Sequence, residues 1–223
     1  MKIRHEVVPF LVAVLFIGIL TALIGAGCGM ARSTTVITGI VPVIVLSGYL
    51  LFFFRDPERT PPNDPSVIVA GADGIVMRIT ELREDEFLKI DAIRISIFLS
   101  LFDVHVNRAP LSGRATLLGY FPGKHFFTFQ EKSSDVNQHN SILIDGEKTR
   151  CLINQIVGPV CRRVIYWLDH DRAIDVQIGA KIGMMKFGSR LDMYFPKADV
   201  SIAVRQGDRV KAGETVVAKL LNG

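Results

Sequence analysis

Two long apolar runs open the chain, and short alternating segments make up most of the rest. Val7 to Ala31 and Ser33 to Phe54 contain no charged residue. Each run exceeds the roughly 20 residues that a helix needs to cross a bilayer core. Arg32 alone interrupts them, so residues 1–54 are expected to form a tight membrane-anchoring helical hairpin. Gly25, Gly27 and Gly29 offer small surfaces for close helix packing. A signal peptide is the competing reading of the first run, but a second equally long run follows at once and no small-residue cleavage site precedes polar sequence. A re-entrant anchor lying partly in the interface fits the same pattern. Lys2 and Arg4 precede the hairpin and Arg55 and Arg59 follow it, which places both ends on the cytoplasmic side of the inner membrane, with Arg32 in the turn as the opposing charge.

Proline and charge then arrive together between residues 55 and 65, the mark of a linker. Phe52 to Phe54 with Arg55 and Arg59 also suit an aromatic and basic collar at headgroup level. Residues 66–223 read as short strands separated by glycine, with little helical period. Val67 to Ala70 and Gly74 to Thr80 flank Gly71 to Gly74, a hairpin-like turn. Ile93 to Ser100 alternates and then runs apolar, like a strand entering a core. Leu111 to Phe121 reads as a strand pair, and the polar stretch Lys124 to Asn140 as a long loop. Ser141 to Asp145 ends at Asp145-Gly146, a hairpin signal. Cys151 to Leu168 fits helix and strand alike, with Gly158-Pro159 interrupting it. Val200 to Ala218 has the cadence of biotinyl and lipoyl β-sandwiches, without the lysine-tipped hairpin that such carriers present. The fold class expected is mainly β (α+β), a β-sandwich of barrel-sandwich character behind a hydrophobic hairpin.

Composition narrows the partners. The 223 residues are 49% hydrophobic, with a net charge of +4 and a sequence pI of about 9.0; a mildly basic chain with an apolar hairpin is drawn to anionic lipid headgroups. No basic stripe interleaves with aromatics, so nucleic acid is not expected as a partner. Cys28, Cys151 and Cys161 lack metal-ligand spacing and read as buried structural thiols in a reducing compartment. No His-x-x-x-His or Cys/His cluster occurs, so no metal is expected.

The chemistry-bearing stretch is Gly183 to Pro196, centred on Gly188-Ser189. A Gly-Ser pair alone usually marks a turn. Here Met184, Met185 and Phe187 precede it and Leu191, Met193, Tyr194 and Phe195 follow, so the turn is expected between two buried strands. Gly188 allows a strained backbone that opens its carbonyl to attack, and Ser189 Oγ is the nearest nucleophile. Among the histidines, His105 stands apart: it follows a buried strand, between Val104 and Val106, where the ordinary reading is a hydrogen-bonded structural residue. Ser189, His105 and Asp73 could form a hydrolase triad, although the Gly-x-Ser-x-Gly elbow is missing. They could instead serve one self-directed reaction: His105, oriented by Asp73, takes the Ser189 proton, and Ser189 Oγ attacks the Gly188 carbonyl to give an ester. Elimination and hydrolysis then leave a pyruvoyl group on residue 189, a carbonyl able to act on primary amines as an electron sink.

Phe53 to Arg59, Ala72 to Gly74, Phe102 to Pro110, Gln155 to Gly158 with Arg162-Arg163, and Ile182 to Arg190 together resemble the phosphatidylserine decarboxylase proenzymes, in their short bacterial and archaeal branch. The resemblance covers nearly the whole chain, and its most specific block is Phe187-Gly188-Ser189-Arg190. It implies cleavage between Gly188 and Ser189 into a β chain, 1–188, and an α chain, 189–223, held together as a heterodimer. It also implies a pyruvoyl cofactor made from Ser189, and conversion of phosphatidylserine to phosphatidylethanolamine and CO2. Arg162, Arg163 or the Arg55 collar are candidates for holding the lipid phosphate, since a guanidinium pairs with it bidentately. Two departures stand out. Arg108 occupies the place of a second histidine found in the longer branch, and Asp135 to Asn140 replaces the branch's usual acidic loop. The rival expectations are a non-enzymatic membrane-anchored sandwich adaptor and a serine hydrolase of membrane lipids.

Overall fold

The computed structural model of the chain describes residues 2–130, 132–159 and 164–221. Strand accounts for 39% of residues and helix for 22%. Nearly all the described helix lies near the N-terminus, so the rest is a β fold. The chain divides into two compact units, Met1–Glu58 and Arg59–Gly223.

The first unit is a hairpin of helices Val8–Gly27 and Arg32–Phe53, each long and apolar enough to cross a membrane. Their surfaces are apolar all round, as in helices that meet no water. The close approach between them runs through Gly18 and Gly39. A Cβ on Gly39 would come within 3.0 Å of Ala22 Cβ and 3.1 Å of the Gly18 carbonyl oxygen. Gly27 and Gly29 face open space; the helical repeat, which puts Gly18, Ala22 and Gly25 on one face, decides which glycines pack. Lys2–Ile3 pairs with Arg55–Asp56 and ties the two ends of the hairpin. The Arg55 guanidinium lies 3.8 Å over the Phe52 ring. Cys28 caps the first helix and is exposed, not buried.

The second unit is built on an eight-stranded antiparallel sheet. Its strands run in the order Ile174–Val176, Gly113–Phe121, His139–Asp145, Arg150–Ile156, Ser189–Pro196, Ile90–Leu99, Gly74–Glu84, Arg209–Val210. Two three-stranded sheets complete it. One joins Val200–Ile202, Val216–Leu220 and Val67–Val69; the other joins Ile165–Tyr166, Lys181–Met184 and Val106–Arg108. Successive strand residues face opposite sides, and the central strand Ser189–Pro196 is buried along its whole length. Leu191, Met193 and Phe195 enter the main core with Ile95, Ile97, Ile142, Ile144 and Ile153, each such side chain contributing about 1.5–3 kcal/mol on burial. Arg190, Asp192 and Tyr194 alternate with them and so face the other side.

Several expectations change. The turn Gly71 to Gly74 is not a hairpin: Val67–Val69 pairs with Val216–Leu220, whereas Gly74–Glu84 pairs with Ile90–Leu99. The chain changes sheets there, which a local turn signal cannot reveal. Leu111 to Phe121 yields one strand, Gly113–Phe121. The long loop contains a short helix, Ser133–Val136. Cys151 to Leu168 resolves as strand, Arg150–Ile156 and Ile165–Tyr166. The Asp145-Gly146 hairpin forms as expected, closed by Gly146 N–H donating to the Thr149 carbonyl at 3.1 Å. Cys151 is fully buried, and burial pushes its thiol well above the usual range.

Candidate active site at the Gly188-Ser189 turn

Residues 185–188 carry the chain from the small sheet into the large one, between strands Lys181–Met184 and Ser189–Pro196. Phe187 and Gly188 are both left-handed, with φ of +51° and +74°. Glycine adopts that conformation freely; for Phe187 it costs on the order of 1–3 kcal/mol. A Cβ on Gly188 would meet nothing within 4 Å, so glycine is needed there for its backbone and not for space. The Gly188 carbonyl oxygen lies against Gly158, where a Cβ would come within 2.7 Å of it and 3.3 Å of Thr128 Cγ2. Ser189 is fully buried, and its Oγ donates to the Lys186 carbonyl at 3.4 Å.

His105 is brought to this turn by the strands around it. Leu99 pairs with Ser189, and the tight turn after Leu99 is held by Asp103, whose Oδ2 accepts from Ser100 N at 2.8 Å and Ser100 Oγ at 2.6 Å. Met185 N–H then donates to the His105 carbonyl at 3.1 Å. The fully buried His105 ring has Nδ1 3.0 Å from the Asp103 carbonyl oxygen. A carbonyl only accepts, so Nδ1 carries the proton and Nε2 of the neutral ring keeps the lone pair. The turn bearing Asp73 lies alongside: Arg108 N–H donates to the Gly71 carbonyl at 2.9 Å, and Ile75 pairs with Phe98. Asp73 Oδ2 accepts from Arg59 at 2.8 Å and Oδ1 from Ala212 N–H at 2.7 Å. Arg59 also reaches Glu214 at 2.9 Å, so Asp73 links the start of the unit to its last segment. Ser189, His105 and Asp73 thus occupy one end of the large sheet. Arg162 and Arg163 lie outside the described residues.

Two groupings escaped sequence reading. The first is a buried ionic cluster beside Ser189. Arg190 is 1% exposed and donates to Asp192 at 2.7 Å and to Ser96 Oγ at 2.7 Å. Ser134 Oγ donates to the other Asp192 oxygen at 2.5 Å, and Arg190 reaches the Gln130 carbonyl at 3.3 Å. This cluster fastens the 124–138 segment to the strand that begins with Ser189. The second is an amide pair on the Ser189 side. Leu191 is opposite Gln155, so Ser189, two residues before Leu191, is a diagonal neighbour of Gln155 on the same face. Gln155 Nε2 donates to Asn107 Oδ1 at 2.7 Å. Among the described residues, Asn107 Nδ2, Gln155 Oε1 and the Tyr166 hydroxyl are buried without a hydrogen-bond partner. All three belong to residues around Gly183: Asn107 and Tyr166 pair with it, and a Cβ there would lie 3.1 Å from Gln155 Nε2. The only signal in the sequence was a polar residue inside an apolar run at each position.

No group of three or more His, Cys, Asp or Glu side chains suited to a metal occurs among the described residues. A cleft of about 880 Å³ is lined by Asp145 to Arg150 and Pro196 to Asp199 at the far end of the sheet. It is open and edged with mixed charge, and it holds none of the site residues.

Residues 46–218 match the family described as phosphatidylserine decarboxylase. The chain belongs to the phosphatidylserine decarboxylase family. It is 33% identical over 222 residues to a protein of Desulfotalea psychrophila, covering 98% of this chain and 97% of that relative. It is 42% identical over 186 residues to one of Prosthecochloris aestuarii (82% and 84% covered) and 39% over 178 residues to one of Carboxydothermus hydrogenoformans (80% and 83%). All three are named phosphatidylserine decarboxylase proenzyme. Within the decarboxylase family frame, the left-handed Phe187-Gly188 turn entering a buried serine is the feature of this chain that asks for a chemical role.

Proposed function

We propose that the chain is a self-processing, pyruvoyl-dependent decarboxylase that converts phosphatidylserine to phosphatidylethanolamine and CO2 at the membrane. The observation that carries the reading is the turn: two successive left-handed residues deliver the Gly188 carbonyl to a buried Ser189. His105 Nε2 takes the Ser189 hydroxyl proton. Ser189 Oγ attacks the Gly188 carbonyl carbon, and the Gly188–Ser189 C–N bond gives way to a C–O ester. Loss of the Ser189 α proton breaks the Cβ–Oγ bond, leaving the Gly188 carboxylate and dehydroalanine at 189. Water then replaces its nitrogen, releasing ammonia. Asp73 is read as orienting this end of the sheet through Arg59 and Ala212.

The residues around position 189 suit a small covalent carbonyl, being apolar through Leu99 and Leu191 with a buried amide pair alongside. Such a pyruvoyl group supplies an electrophile for a primary amine and an electron sink for decarboxylation. The pieces 1–188 and 189–223 would stay together as the β and α chains, respectively, of one heterodimer. Strand Ser189–Pro196 is hydrogen-bonded on both edges to strands of the larger piece, Ile90–Leu99 and Arg150–Ile156, and Val216–Leu220 pairs with Val67–Val69. We read the small sheet joining both ends of the unit as the barrel-sandwich element. Arg162 and Arg163 are assigned to the lipid phosphate, and the unit that bears Ser189 to the cytoplasmic face of the inner membrane, anchored by the hairpin.

Intact mass of the purified protein tests the reading. A fragment beginning at 189 with a pyruvoyl end is expected. Ser189→Ala should give one full-length, inactive chain. An uncleaved chain still active on lipid would sink the proposal and favour a serine hydrolase.

A further inference from the structure

The site end of the large sheet is rimmed by exposed rings. Phe127 and Phe129 are 55% and 58% exposed and stack on each other at 5.3 Å. Phe126 lies beside them, with the ammonium groups of Lys124 and Lys132 5.6 and 5.9 Å from its ring. Leu101 and Phe102 are exposed on the turn after Leu99, at 45% and 70%. Thr128, in the middle of the Phe run, is buried near Gly158, against which the Gly188 carbonyl rests.

The segment is not a slack loop whose rings happen to be out. Asn137 accepts from Phe126 N–H at 3.0 Å and donates to the Phe126 and Val157 carbonyls at 2.8 and 2.9 Å. Ser133 and Ser134 fix it to the Arg190–Asp192 pair. A framework that holds apolar rings in water loses stability, so contiguous exposed rings point to a surface that covers them.

We infer that the 124–138 segment, with Leu101 and Phe102, is a lipid-docking rim that seats the site end in the headgroup layer. Phe127 and Phe129 enter the acyl boundary, and Lys124 and Lys132 meet the phosphates. Acidic and basic residues balance along the 124–138 sequence, so the rings supply most of the attraction. The inference rests on the proposed lipid substrate for its choice of partner: a reacting headgroup must leave a bilayer to reach a buried residue 189, and a rim in contact with the bilayer shortens that path.

The test uses the full chain in vesicles of phosphatidylcholine with phosphatidylserine as the minor lipid. Phe127→Trp in a Trp167→Phe background should show its fluorescence quenched by lipids brominated near the headgroup end of the acyl chain; an unquenched tryptophan overturns the inference. The double variant F127S/F129S should be cleaved normally and turn over a short-chain, water-soluble phosphatidylserine at the unaltered rate. On vesicles it should slow by at least about tenfold, from losing two buried rings. Equal vesicle rates for variant and parent overturn the docking role. If the double variant fails to cleave, the tryptophan reporter alone decides. Failure of the parent chain to act on the short-chain substrate counts against the decarboxylase reading, and leaves the quenching result to judge the rim.

Discussion

At one end of the eight-stranded sheet the chain passes through Gly188 and Ser189; at the other it turns at Asp145 to Arg150 and Pro196 to Asp199. The far end obeys ordinary rules. Its charges are in water, as in the Lys197–Glu81 pair, whose side chains are 50% and 63% exposed. The site end inverts them. Arg190 and Asp192 pair at 1% and 0% exposure, Asn107 Nδ2 and Gln155 Oε1 are buried without a partner, an aromatic residue is left-handed, and rings face outward. The open cleft of about 880 Å³ belongs to the far end. In this protein local departures from folding rules mark the site better than concavity does.

The largest effect expected from breaking that contrast is on stability. Arg190→Met leaves Asp192 buried without its cation and should cost about 3–5 kcal/mol. Lys197→Met at the far end should cost at most about 1 kcal/mol. Urea midpoints of the detergent-solubilised protein compare them, and equal losses would mean that the buried pair is not the stronger tie. Next comes processing. Gly158→Ala would push a Cβ to 2.7 Å from the Gly188 carbonyl oxygen, while Gly113→Ala would push one to 2.5 Å from the Asp145 carbonyl oxygen. Both should lower the melting temperature. Only Gly158→Ala should slow self-cleavage, on the order of 100-fold, because displacing a reacting atom by an ångström has that consequence. Cleavage followed by intact mass reads the difference; similar slowing in both variants would place the effect in folding.

A smaller effect separates two roles for the amide pair. Gln155→Leu strands Asn107 and should cost about 1–3 kcal/mol, whereas removing both partners in N107L/Q155L should cost less. If the pair serves only the fold, the double variant keeps full activity. If it serves the site, activity falls while the melting temperature recovers.

The hairpin and the Gly-Ser turn were legible because each is local. Twenty or more uncharged residues admit few alternatives, and a glycine before a serine between apolar flanks already suggests a special backbone. The left-handed Phe187 was not legible, since nothing in an aromatic residue announces a positive φ. The sheet change at Gly71 to Gly74 looks like a hairpin in sequence because the partner of Val67–Val69, Val216–Leu220, comes from distant sequence, while Gly74–Glu84 turns back onto the next strand, Ile90–Leu99. The same distance hid the Arg190 cluster: Ser96, Ser134 and Asp192 are unremarkable singly, and only strand register brings them together. Asp73 and His105 could be nominated by residue type, but Asp73's partners Arg59 and Ala212 belong to tertiary structure, and the contact of His105 with the Asp103 carbonyl depends on the conformation of the turn between them.

The smallest expected effect concerns Tyr166, whose hydroxyl belongs to the unpartnered polar group around Gly183. Burial, and then the Asp169 charge, raise its phenol from 10.0 to about 12. The folded value exceeds the unfolded one, so the unfolded chain releases this proton first as pH rises. The contribution is therefore intact below pH 10 and is lost as pH climbs from 10 towards about 12. Tyr166→Phe should flatten the fall in melting temperature over that window. Below pH 10 it should leave stability equal or slightly higher, because it removes a buried hydroxyl that has no partner. Activity at neutral pH then separates two uses of that hydroxyl. Unchanged activity would make it a tolerated by-product of packing a tyrosine against Gly183. A loss with stability intact would place it, with Asn107 and Gln155, among the groups that position the reactants at residue 189.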